Sequence, residues 1–413
     1  MDFKDKLNKY VDLILSIGLN VKHGDRIQLK CNTEHIHIAR LLVRRAYELG
    51  AAYIVLDLQD HEIDSARYEL LHDSFIDSFP SILADQKLAL YKEKFIQLTL
   101  IAPHLTLVGD LDTERVHRIN KARSLAMRDV MTYGMENHSR WIVAAAATNE
   151  WAKLVFPDEE KEKATDQLWE EIFKATRVLE KDPVLIWKEH IKSLESYQMI
   201  LNQKQFIELH FFSEETDLYV GLVEDHNWIG GLEKTSSGES FISNIPVEEI
   251  WTMPHAQRVN GHVKLTKPLW VAGQLVSNLK IFFKDGAVTK ILCDQEEVVN
   301  QLLRTDIGAS RLGEVALVSV DSPIEQTGLF FHQTLFDENT ASHLAFGQAY
   351  SDNLVGSNQL SKEEREHRGM NESSIHVDFM IGSKDMSVFG LTYDGKRELI
   401  MESGKWALDL SQC

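Results

Sequence analysis

The chain has 413 residues, with 44 Lys and Arg against 63 Asp and Glu, a formal charge of −19. Its length suits two domains or one large enzyme domain with an appendage, and 44% hydrophobic with 26% charged residues is an ordinary globular composition. The acidic balance argues against non-specific binding to nucleic acid or to an anionic membrane, both of which need basic patches.

The first twenty residues, "MDFKDKLNKYVDLILSIGLN", predict an amphipathic helix with Leu7, Tyr10, Val11, Ile14 and Leu15 on one stripe. They lack the basic start and long apolar core of a signal peptide. "RIQLKC" (Arg26–Cys31) and "AYIVLDL" (Ala52–Leu58) are expected to be buried strands. Between them "EHIHIARLLVRRAYELG" is helical and closes on Gly50. His35 and His37, at i and i+2 on that helix, are expected on the surface. "IQLTLIAP" (Ile96–Pro103) and "RWIVAAAAT" (Arg140–Thr148) are further strands separated by helical stretches. Helices are expected around Glu160–Glu180 and Pro183–Leu194. This alternation predicts an α/β domain with a mainly parallel sheet over residues 1–200.

From about residue 201 to 413 the pattern predicts a β-rich α+β domain. "QFIELHFF", "TDLYVGL", "NLKIFFKDGAVTKILC" and "SVFGLTYDGKRELIMESGKW" are strands, with hairpin signals at Asp285-Gly286 and Asp394-Gly395. Two helices are expected to interrupt them, near Glu296–Leu303 and Glu338–Tyr350. No apolar run reaches the roughly 18 residues of a membrane span. Cys31, Cys293 and Cys413 are scattered and odd in number, which disfavours a disulfide framework or a thiolate zinc site. A reducing, cytoplasmic location is expected.

Several apparent motifs carry no chemistry. "GASRLGEVAL" has two glycines spaced as in a phosphate loop but places Glu314 where Lys-Ser/Thr is needed. "DHEID" lacks the second histidine of HExxH, and no GxSxG elbow occurs.

The stretch "SIHVDFMIG" (Ser374–Gly382) is different. As a strand it puts Ile375, Val377, Phe379 and Ile381 on one face and His376 and Asp378 together on the other. That pattern fits either an amphipathic edge strand with its polar face in water or a pair of metal ligands. Three further blocks offer partners: "SNIPVEEIWTMPH" with Glu248 and Glu249, "RLGEVALV" with Glu314, and "TLFDENTASHLAFGQAY" with Glu338, His343 and Tyr350. On one helix His343 and Tyr350 share a stripe, whereas Glu338 must sit in a non-helical lead-in to converge with His343.

In order and spacing, these four blocks resemble the aminopeptidase T/aminopeptidase S family, the thermophilic-type metallopeptidases also called PepS. The blocks span roughly the last 170 residues; the N-terminal half agrees only in pattern. The resemblance implies a metallo-aminopeptidase acting on peptides with a free N-terminus, and homodimers enclosing the active sites. It also implies two divalent metal ions per chain, zinc, cobalt or manganese, held by Glu248, Glu314, Glu338, His343, His376 and Asp378. Glu248 is chosen over Glu249 on its distance to Glu314, and a one-residue offset exchanges them. Tyr350 matches the family's active-site tyrosine, Glu314 is the candidate bridge, and Glu249 is a candidate proton acceptor. Such a pair of ions acidifies a water and polarises the scissile carbonyl. A metal-dependent amidohydrolase and a non-catalytic metal- or peptide-binding scaffold are the alternatives.

Overall fold

The computed structural model describes residues 1–103, 112–271 and 273–410; Cys413 lies outside them. The chain divides into two compact units, Met1–Lys188 with Leu232–Pro246 and Glu189–Gly231 with Val247–Cys413.

In the first unit, helix α1 (Phe3–Leu13) opens on Asp2, whose carboxylate accepts from the Asp5 N–H. Strand β1 (Arg26–Asn32) leads into helix α2 (Ile36–Glu48), followed by β2 (Tyr53–Gln59), β3 (Ile96–Ile101) and β4 (Trp141–Ala145). These strands are parallel, and the short strand Asn244–Ile245 adds to β4, giving the order 244–245, β4, β3, β1, β2. The expected parallel α/β sheet is therefore present. β2 is its edge, however, with Tyr53, Leu56 and Leu58 exposed, and not the buried strand its apolar run suggested.

His35 also departs from expectation. It ends the 3-10 turn before α2 and is buried, its Nδ1 folded back toward the Asn32 N–H and its Nε2 3.0 Å from the Ala146 carbonyl. The periodicity of α2 put it on a helix surface, whereas the capping turn draws it inward. His37 is exposed as expected.

The second unit is antiparallel. Its larger sheet uses β5 (Glu208–Phe212), β6 (Asp217–Leu222), β9 (Pro254–Lys264), β10 (Lys280–Lys284), β11 (Ala287–Leu292), β15 (Ser387–Leu391), β16 (Arg397–Glu402) and β17 (Lys405–Trp406). The smaller sheet, ordered β14, β13, β12, β8, β7, contains β7 (Ile229–Gly230), β8 (Ile250–Thr252), β12 (Leu312–Leu317), β13 (His343–Gly347) and β14 (His376–Met380). Asp285 and Gly286, both at positive φ, turn β10 into β11 as their sequence predicts. The helix expected at Glu296–Leu303 is present; the one expected over Glu338–Tyr350 is not. Thr334–Asp337 makes one helical turn, Glu338–Thr340 a 3-10 turn, and His343 begins strand β13. Phe211, Trp228, Val259, Ile281, Leu317, Phe346 and Phe379 belong to one apolar core within this unit.

No helix among the described residues is long and apolar enough to cross a membrane. Cys31 and Cys293 are free thiols.

Candidate metal centre

Strand register assembles the site. Across the smaller sheet Ala345 of β13 lies opposite both Glu314 of β12 and Asp378 of β14. Directly opposite residues share a face, so the two carboxylates flank a methyl group small enough to leave space between them. His343 and His376, two residues from Ala345 and Asp378 on their own strands, come to the same face.

Glu314 reaches that face only because β12 is irregular. Leu312 pairs with Phe346, but Glu314 pairs with Ala345, so Gly313 is the extra residue of a β-bulge. Continued without it, the register would set Glu314 opposite Leu344 and turn the carboxylate toward the apolar core. Glycine is required here, because a Cβ at 313 would stand 2.4 Å from the carbonyl oxygens of Gly347 and Gln348.

On the other side of β14 the answer to the "SIHVDFMIG" pattern is visible. β14 is an edge strand, with Phe379 and Ile381 in the core and Ile375 and Val377 packed against it. Its His376 and Asp378 face carboxylates and not only solvent.

The side chains form two triplets, Glu249–Glu314–His343 and Glu314–His376–Asp378, each with its ligand atoms within 4.8 Å of one another. Glu314 belongs to both. His343 Nε2 lies 3.2 Å from Glu249 and 3.5 Å from Glu314. His376 Nε2 lies 3.3 Å from Asp378 and 3.5 Å from the other oxygen of Glu314. Each imidazole is oriented through its second nitrogen: Nδ1 of His376 is 2.8 Å from the Gln348 carbonyl, and Nδ1 of His343 is 3.3 Å from that of Ala341. This leaves both Nε2 atoms to the carboxylates, the arrangement metal-binding histidines use.

Glu338 adds a fourth carboxylate. Burial, then the charges of Glu249 and Asp378, drive its pKa well above the usual range. Burial likewise pushes Glu314 up to about 7, with Asp378 and Glu249 adding to the shift. Burial opposes protonation of the histidines, yet Glu249 and Glu314 outweigh it and raise His343, while Asp378 and Glu314 raise His376 to about 9. Asp378 is pushed up by burial but held below its ordinary value by His376 and His343. Four carboxylates in one buried pocket demand more positive charge than two imidazoles supply, and an oxygen-rich set with two histidines fits divalent cations.

Glu248, the expected ligand, is elsewhere. Its carboxylate sits 3.5 Å from His190 Nε2, and its N–H donates to Asn339 Oδ1 at 2.6 Å. The neighbouring Glu249 is the residue in the triplet. Tyr350 packs 4.8 Å from the His376 ring and stacks on Trp251, centroids 6.2 Å apart and 17° from parallel. Burial and then the charge of Glu314, followed by the other carboxylates, raise its phenol's pKa.

Sequence reasoning passed over Asn339, Gly313, Ala345 and Trp251. Asn339 is wholly buried and joins two ligand-bearing segments, accepting from the Glu248 N–H and donating to the Leu335 carbonyl at 3.1 Å.

Comparison with known proteins identifies relatives over nearly the whole chain. The chain matches the family described as thermophilic metalloprotease (M29) over residues 3–406. It is 39% identical to aminopeptidase AmpS of Bacillus subtilis over 98% of this chain and 99% of that protein, and 41% identical to aminopeptidase T of Thermus aquaticus over the same shares. The solved structure of wild-type AmpT from Thermus thermophilus superposes with a TM-score of 0.93 at 38% identity, covering 98% of this chain and 100% of that one.

Proposed function

The chain belongs to the thermophilic metalloprotease (M29) family, and from that membership and the site's geometry we propose a two-metal aminopeptidase that releases N-terminal residues from peptides. The observation that carries the number of ions is the pair of triplets sharing Glu314. Glu249 and His343 would hold one ion and His376 and Asp378 the other, with Glu314 available to both and Glu338 completing the set. Zinc, cobalt and manganese all suit these donors. When bound, the ions supply an acidified water and polarisation of the scissile carbonyl.

The chain's own residues do the rest. Glu249, Glu314, Glu338 and Asp378 surround the site with four negative charges, which balance two divalent ions. His343 and His376 are kept in one tautomer by backbone carbonyls, so they present a fixed lone pair. Tyr350, its pKa raised, stays protonated at neutral pH and is placed to donate a hydrogen bond to the oxygen on which charge develops. Trp251 holds that phenol against His376. Glu249 moves in this proposal from proton acceptor to ligand, and Glu248 has no catalytic part. Homodimer assembly, a cytoplasmic location and a domain division near residue 200 are carried with the proposal from the family resemblance and the chain's patterning.

The test is hydrolysis of a leucyl anilide and its N-acetyl derivative by wild type, Glu249→Ala and Glu248→Ala, with bound metal counted. Turnover of the free amine alone, lost with metal in Glu249→Ala and retained in Glu248→Ala, is expected. Metal binding without turnover of any aminoacyl substrate would instead make the site a scaffold, and cleavage of the acetylated compound would make it a general amidase.

A further inference from the structure

The sheet of the first unit has a polar side that the peptidase reading does not use. β1 is an interior strand of it, yet Arg26, Gln28, Lys30 and Asn32 alternate along it with Ile27, Leu29 and Cys31. In register, Lys30 lies opposite Asp57 of β2 and Thr99 of β3. The side is only loosely covered. Among the segments joining β2 to β3, helix His61–Leu70 buries no residue and helix Ser81–Lys92 buries only Ala84.

Lys30, Lys87 and Arg123 are half-buried here, drawn from β1 and two crossover helices. Among the described residues none of the three has a carboxylate within 4.0 Å. That is notable in a chain where acidic residues outnumber basic ones, 63 to 44. The three act on one another: after burial, the charges of Lys87 and Arg123 lower the Lys30 pKa, and after burial Arg123 lowers that of Lys87, with Asp57 opposing both and Asp64 opposing the shift of Lys30. Beside them Gln28 is 5% exposed; its amide nitrogen is 3.5 Å from Asp57, and its buried Oε1 has no partner. The cluster also lies toward the carboxyl end of β1, where the winding reverses: β2 follows on one side and β3 on the other. Open α/β sheets bind ligands at such points.

We propose that Lys30, Lys87 and Arg123 form a site for a small oxyanion of the phosphate class, in the crevice between this sheet and its crossover helices. Hydrogen phosphate carries what the crevice is short of: negative charge beyond that of Asp57 and Asp64 for three cations, and a hydroxyl to donate to Gln28 Oε1. Occupancy relieves the repulsion among the cations and ties two crossover helices to the sheet, stabilising the first unit by mass action.

The experiment compares thermal unfolding of the full chain, wild type and Lys87→Met, in phosphate and in chloride of equal ionic strength. Any effect of phosphate at the metal centre is common to both proteins, so only the difference between them is read. Wild type is expected to gain melting temperature in phosphate, and the variant to lose that gain. In parallel, phosphate is expected to protect Lys30 and Lys87, but not the exposed Lys4, from an amine-acylating reagent followed by peptide mass spectrometry. A phosphoserine arm separates sources: protection by it as well assigns the crevice to phosphate esters, protection by phosphate alone to the free ion. Equal melting in the two salts, or a full phosphate effect in Lys87→Met, overturns the proposal.

Discussion

Replacing Gly313 by Ala places a methyl carbon 2.4 Å from two backbone oxygens, those of Gly347 and Gln348. Ordinary contact needs roughly 1 Å more, and neither oxygen belongs to a side chain that can swing away. Either β12 shifts from β13 or the bulge opens, and each displaces Glu314. Overpacking of this kind costs about 1–3 kcal/mol in stability. The effect on metal is the sharper readout, because Glu314 is shared by both triplets. A disturbed supporting structure weakens metal binding by about 10–100-fold. Both ions should weaken together, which a change in a ligand of only one triplet would not produce. The assay is competitive metal titration with urea unfolding of the metal-free and metal-loaded protein. Gly134→Ala serves as control: its Cβ would come no nearer than 3.4 Å to the Tyr91 side chain, and Ala favours the helix it occupies. Wild-type metal affinity in Gly313→Ala, or loss of one ion alone, would refute the argument that the bulge delivers Glu314 to the site.

Asn339→Ala leaves the Glu248 N–H buried without an acceptor and removes a donor from the Leu335 carbonyl; a loss of about 2–4 kcal/mol in urea unfolding is expected. A buried, neutral His35, its pKa lowered by burial to about 4, makes stability depend on pH. The unfolded chain binds a proton below about 6.5 that the folded chain refuses until about 4, so stability falls as pH drops through that window, by up to about 3 kcal/mol. His35→Gln should flatten this dependence in unfolding measured from pH 7 to pH 4, and an unchanged slope would remove His35 as its source. Asp306, held down to about 2 against burial by hydrogen bonds from Ser374, Ser373 and the Ala309 N–H, acts at lower pH. Its contribution is present above about 4 and lost as pH falls toward 2, so Asp306→Asn should blunt acid unfolding there without affecting the window of His35.

Much of the fold was legible because its strands follow simple periods. β1, β3 and β14 alternate or run apolar, and Asp285-Gly286 is a turn signal that the backbone obeys. β13 was not legible. "SHLAFGQAY" has no β-branched residue, and Ala, Leu and Gln favour helix, so local preference pointed the wrong way and the neighbouring strands decided the outcome. The candidate residues Glu314, His343, His376 and Asp378 nevertheless come together, since which residues can hold a metal does not depend on the element that carries them. The choice between Glu248 and Glu249 is different in kind. Adjacent residues on extended backbone point to opposite sides, and only the pairing of Ile250 with Leu317 sets which of the two meets His343. The bulge at Gly313 escaped for the same reason: a single extra residue changes no periodicity that one strand shows alone.

The most direct measurement is anomalous diffraction from crystals of the protein grown with zinc, recorded on either side of the zinc absorption edge. Two peaks flanking the Glu314 carboxylate, one against Glu249 and His343 and the other against His376 and Asp378, are the predicted result. A single peak, or ions bound at Glu248 and His190, would contradict the shared-carboxylate site on which the proposed function rests.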